Sequence, residues 1–101
     1  MKQAGYDALI RVTQATEWVL EPCNADGDIL DPMHYDGQRE AVAEVPGQWR
    51  HFPEATYMDL AKRVRRGSEA EGVDTDVYTY WRRYYPDGTS VELDRRETPN
   101  F

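Results

Sequence analysis

The side chains best suited to nucleophilic or metal chemistry in this chain are one thiol, Cys23, and two imidazoles, His34 and His51. A cysteine with a histidine base makes a small hydrolase, and cysteine with histidine binds zinc. The spacing of these three matches neither pattern, so all three are expected to be structural. Asn24, Asp26, Asp28 and Asp31 fall close together, and an oxygen-rich loop of this kind is the chemistry of a calcium site. A calcium loop of the EF-hand type wants glycine sixth and glutamate twelfth. Counted from Asn24, Gly27 is fourth and the twelfth residue is Tyr35, so the cluster reads as an acidic turn. Acid–base work by two carboxylates needs one buried and one solvated. Glu17 and Glu21 flank the apolar Trp18-Val19-Leu20 and share one side of a strand, where they are expected to be solvated. The chain has no glycine-rich phosphate loop and no Gly-x-Ser-x-Gly. The expectation is a protein that is not an enzyme and uses no cofactor or metal.

A second kind of chemistry lies in Tyr78-Thr79-Tyr80-Trp81-Arg82-Arg83-Tyr84-Tyr85. Aromatics alternating with arginines on a sheet stack on and neutralise single-stranded nucleic acid. The same mixture is enriched at protein–protein hot spots. It also suits a strand with one core face and one face of cross-strand Arg–Glu and Tyr–Asp pairs. Tyr80, Arg82 and Tyr84 are the candidates for partner contact on this segment.

The distribution of charge separates these readings. Residues 1–60 hold four Lys/Arg and eleven Asp/Glu, a net of −7, and residues 61–101 hold eight of each, a net of zero. Negative potential opposes binding to nucleic acid and to anionic membranes. It suits a basic partner.

These groups need elements to position them. A chain of 101 residues is expected to be a single domain, 1–101, with a modest core. A single cysteine and the lack of a bilayer-length apolar run point to a cytoplasmic protein. Tyr6 to Val12 alternates as a possible first strand, and Glu17 to Glu21 as a clearer one, closed by Pro22. Asn24 to Asp28 is a turn, and Ile29 to Tyr35 returns as an edge strand interrupted by Pro32. Asp36 is placed to cap a helix over Gln38–Val45, with Ala41, Val42 and Val45 inward, ended by Pro46-Gly47. Tyr57, Leu60, Ala61 and Val64 predict a second helix from Pro53 to about Arg66, with Lys62, Arg63, Arg65 and Arg66 at its C-terminal end. Asp76–Tyr85, the turn Pro86-Asp87-Gly88 and Thr89–Arg96 predict a hairpin; with a three-residue loop Trp81 faces Leu93, Arg83 faces Val91 and Arg82 faces Glu92, and a four-residue loop would shift this register by one. In this register Trp81 turns to the helices near Leu60 and Val64, and Tyr80 and Tyr84 lie on the other face. The fold class is α+β, an antiparallel sheet of four to five strands with two helices packed on one face.

Glu17, Glu21, Asp26, Asp28, Asp31, Asp36, Glu40 and Glu44 then form a carboxylate array that could occupy a site meant for phosphates. In size, acidity and lack of catalytic motifs, the whole chain resembles the small acidic single-domain inhibitors of phages and mobile elements, such as anti-CRISPR proteins. No signature residues carry that resemblance, so it transfers no site. It implies an inhibitor acting in the host cytoplasm on a basic, nucleic-acid-binding complex, with no membrane and no nucleic acid bound directly. The alternatives are an immunity protein or antitoxin capping a toxin, and a single-stranded nucleic-acid-binding module using the Tyr/Arg hairpin.

Overall fold

The protein is described from a computed structural model, covering residues 16–68, 73–95 and 97–100. The strand expected over Tyr6–Val12 lies outside them. The elements are β1 (Thr16–Cys23), β2 (Met33–Tyr35), α1 (Gln38–Gln48), β3 (Tyr57–Ser68), β4 (Val73–Tyr84), β5 (Ser90–Glu92) and β6 (Glu97–Asn100). The sheet is antiparallel in the order β2-β1-β3-β4-β5, and β6 pairs with β4 alongside β5. The fold is therefore α+β, as the sequence predicts, but the described residues contain one helix instead of two.

The segment read as the second helix is the central strand, β3. Tyr57, Leu60, Ala61 and Val64 do satisfy the spacing of a helix stripe, yet Met58 and Leu60 alternating with Asp59 and Ala61 satisfy the period of a strand equally well. Pairing decides the matter. β1 covers Tyr57–Val64 on one side and β4 covers Met58–Ser68 on the other. A helix here would leave both neighbours with unpaired edges.

β1 runs through Pro22 to Cys23 instead of stopping at the proline. Asn24 closes the turn that follows, its Oδ1 accepting the N–H groups of Asp26 and Asp28, both at 3.0 Å. Gly27 there has φ +84°, a conformation that a β-carbon disfavours. Only Met33–Tyr35 of the predicted returning strand is regular. α1 is capped by Gly37, with no side-chain cap from Asp36, and it continues past Pro46 to Gln48. Its buried residues are Ala41 and Val45, while Val42 is 36% exposed.

Cross-strand partners share a face, and faces alternate along a strand. One face carries Trp18, Leu20, Met58 and Leu60, which form the core with Ala41 and Val45 of α1. Met33, Tyr35, Trp49, Trp81 and Tyr84 pack around this core. Full burial of a side chain such as Leu20 or Leu60 contributes about 1.5–3 kcal/mol. The other face carries Glu17, Glu21, Tyr57, Asp59, Arg63, Tyr78, Tyr80 and Arg83.

The predicted β4–β5 register is observed, with Arg82 opposite Glu92 and Arg83 opposite Val91. The Leu93 N–H donates to the Trp81 carbonyl at 3.0 Å. Against β3, however, the register shifts. Leu60 pairs with Arg82 and Ala61 with Tyr80, so Trp81 is the extra residue of a β-bulge. Trp81 does turn toward the core, edge-on to Trp18 with ring centroids 5.0 Å apart. Tyr84 also packs on that side, beside Met58, and not on the face opposite Trp81.

Candidate functional site

The carboxylates of the first half of the chain divide into two sets. The first lies on the sheet face away from α1. Arg83 makes a forked contact with Asp59, Nε to Oδ1 at 2.7 Å and Nη2 to Oδ2 at 3.0 Å. This bidentate geometry is the strong form of an Arg–carboxylate pair. The Arg83 guanidinium also lies 4.0 Å from the centre of the Tyr57 ring. Further along the same face, Arg63 donates to Asp76 Oδ2 at 2.9 Å and pairs with Glu17. Glu17 also meets His34 Nδ1 at 3.1 Å, and Arg65 Nε lies 3.6 Å from Asp76 Oδ1. The result is a chain of polar contacts across β2, β1, β3 and β4, with acids and arginines alternating from Glu17 to Asp76.

Glu21 lies opposite Asp59 in the β1–β3 register and is 6% exposed. Burial pushes its carboxyl above the usual range, Asp59 adds to that, and a hydrogen bond from Tyr80 together with His34 works the other way. The Tyr80 phenol is pushed up by burial and by Glu21. Cys23 is buried on the same face, donating to the Glu21 carbonyl at 3.3 Å. Burial raises its thiol, opposed by a hydrogen bond from Tyr57, which keeps it in the protonated, unreactive form at neutral pH.

The second set is Asp26, Asp28, Asp31, Asp36, Glu40 and Glu44, on the β1–β2 connection and α1. All six are exposed. None forms an ion pair among the described residues. Asp36 borders a polar cleft of about 330 Å³ together with Thr16, Glu17, Arg63 and Arg65.

The structure keeps six of the eight residues of the predicted carboxylate array on an open surface and removes two. Glu17 is tied to Arg63 and His34, and Glu21 is buried, so neither is the solvated side chain that the strand pattern implied. Tyr80, Arg82 and Tyr84 are not brought together. The bulge leaves Tyr80 on the face with Glu21, whereas Arg82 is on the α1 side, donating to Ser90 at 3.0 Å and lying 3.8 Å from Glu92. The surface predicted from Tyr80, Arg82 and Tyr84 together is therefore not formed. Cys23 and His34 are apart too. His34 opposes Val19, and Cys23 is four strand positions further on, about 13 Å at the usual rise. His51 is in the turn after α1. Among the described residues no group of three His, Cys, Asp or Glu side chains could hold a metal ion. No helix there is long and apolar enough to cross a membrane.

The sequence reading missed Asp59, Arg63, Asp76 and Arg83, which organise the polar face. Their signal was the period of two through Tyr57, Asp59, Ala61, Arg63 and Arg65, hidden because the same segment also fits a helix. Comparison of the chain with family models, with curated proteins and with solved structures gives no match.

Proposed function

We propose that this chain is a non-enzymatic binding protein whose exposed carboxylates dock on a basic site of a protein partner, one that ordinarily holds nucleic acid. The observation that carries this reading is the set Asp26, Asp28, Asp31, Asp36, Glu40 and Glu44, exposed and without cationic partners among the described residues. Elsewhere the chain spends its arginines on its own acids, at Asp59, Glu17, Asp76 and Glu92. Unpaired carboxylates repel one another and add nothing to the fold, so a surface that leaves six of them free is suited to outside cations. In this reading the protein acts in the cytoplasm as an inhibitor of the phage type, of the same general kind as anti-CRISPR proteins.

The test is affinity capture from a bacterial lysate with the wild-type chain and with Asp26, Asp28 and Asp31 all changed to Lys. The expected result is a partner rich in Lys and Arg. It should elute as salt rises to about 0.5 M and be lost from the variant, because exposed charge pairs are screened at that ionic strength. Equal retention by both proteins overturns the acidic surface. Co-expression with an active CRISPR system then tests the narrower assignment, which fails if plasmid interference is unchanged by the wild-type chain.

A further inference from the structure

The chain contains three Asp-Gly pairs, Asp26-Gly27, Asp36-Gly37 and Asp87-Gly88. Such a pair rearranges with no co-reactant but water. The glycine amide nitrogen attacks the carboxyl carbon of the aspartate side chain. The amide proton and the carboxyl hydroxyl leave as water, and a five-membered succinimide forms. Water then adds back at one of the two ring carbonyls. When the ring opens at the main-chain carbonyl, the nitrogen stays on the side-chain carbon and the product is isoaspartate. Water released in the first step is consumed in the second, so mass is unchanged. Glycine permits the attack because no β-carbon crowds its nitrogen.

All three aspartates are exposed, so water reaches each of them. Hydrogen bonding separates them. In the turn after β1 the Gly27 N–H donates to the Asn24 carbonyl at 3.0 Å, and Asn24 Oδ1 holds the N–H groups of Asp26 and Asp28. In the β4–β5 turn the Gly88 N–H donates to the Tyr85 carbonyl at 3.1 Å. The Asp87 carboxylate is engaged as well, its Oδ1 accepting the Thr89 N–H at 2.9 Å and the Thr89 hydroxyl at 2.6 Å. These bonds hold that carboxyl below its usual range, whereas the reacting species is the neutral acid. At either turn the attacking nitrogen must first leave its acceptor.

Asp36-Gly37 has none of these restraints. It lies in the bend between β2 and α1. The Gly37 N–H has no hydrogen-bond partner among the described residues, and the Asp36 carboxylate has none either. We propose that Asp36 is the site at which this protein converts aspartate to isoaspartate, ahead of the two turns that carry the same dipeptide. The product moves the negative charge from the side chain to the former main-chain carboxyl. It also adds one methylene to the backbone path between Tyr35 of β2 and Gln38 of α1.

The full chain is aged for weeks at neutral pH and body temperature, and electron-based fragmentation of its peptides places isoaspartate residue by residue. Opening one hydrogen bond slows a site by about 3–10-fold, and Asp36 should lead Asp26 and Asp87 by that factor. In concentrated urea, where no site keeps its hydrogen bonds, the three should convert at similar rates. Gly37→Ala should nearly stop conversion at Asp36. The backbone accepts that change, since Gly37 has φ −129° and an added β-carbon comes no closer than 4.0 Å, to the Glu40 carboxylate. Equal conversion at the three sites of the native chain overturns the proposal, as does a lead by Asp26 or Asp87. So does a lead by Asp36 that persists in urea, because the local sequence alone would then set it. Conversion at Asp36 in urea but not in the native chain overturns it too, since the fold would then protect the site.

Discussion

Acidic residues of the same types do opposite work on the polar face of the sheet and on the β1–β2 connection and α1. Asp59 and Glu21 are 7% and 6% exposed, packed among Arg83, Tyr80 and Tyr57. Asp26, Asp28 and Glu40 stand in water with no cation beside them among the described residues. The first set is held by the fold and helps to hold it. The second is tolerated by the fold and faces outward. The difference teaches that the net charge of −7 overstates the acidity confined to the first sixty residues. Part of it is neutralised by arginines of the second half, brought across by β-pairing.

The sharpest way to break this comparison is Asp59→Ala. Removing one member of a buried, forked pair strands Arg83 beside Tyr57. It should destabilise the protein by about 2–4 kcal/mol in urea melts, less than a wholly buried pair would show because Arg83 is partly solvated. A loss below about 1 kcal/mol would place Asp59 with the surface set.

Glu21→Gln should act in the other direction. The folded-state pKa of Glu21 lies above its unfolded value of 4.5 because burial disfavours the charged form. Its favourable contribution is therefore complete below 4.5 and is lost as pH rises through the folded-state value. At neutral pH the variant should be the more stable protein, and its advantage should shrink as pH falls toward 4.5. Thermal melts of both proteins across this window measure the crossing trend, and an advantage independent of pH contradicts it.

Glu17→Gln tests the partly exposed end of the charge chain. The expected loss is at most about 1 kcal/mol, and it should fade in about 1 M salt as screening replaces the pair. Asp28→Ala should change stability by less than about 0.5 kcal/mol, as for a surface residue that makes no structural contact of its own side chain. A larger loss there would mean that the outward-facing carboxylates also belong to the fold.

Several features could be read without any coordinates. Asp-Gly and Pro-Asp-Gly placed the two tight turns, where Gly27 and Gly88 have positive φ, because few residues other than glycine accept that conformation. The helix over Gln38–Val45 was legible from Ala41 and Val45, and the β4–β5 register is the one that a three-residue loop implies, of the two loop lengths the sequence left open. The open carboxylates were legible because acids in loops and on a helix's outer face have no other environment. Three things were not legible. Residues 57–68 fit both periods, and only hydrogen bonding to β1 and β4 made them a strand. The bulge at Trp81 has no local signature, yet it moved Tyr80 and Tyr84 to opposite faces. The partners of Asp59, Glu17 and Asp76 lie at sequence distances of up to 46 residues. Turns and exposure follow from local stereochemistry and polarity, which the sequence carries by itself. Strand identity, face and ion pairing depend on which distant segment arrives alongside, and that is decided by the tertiary structure.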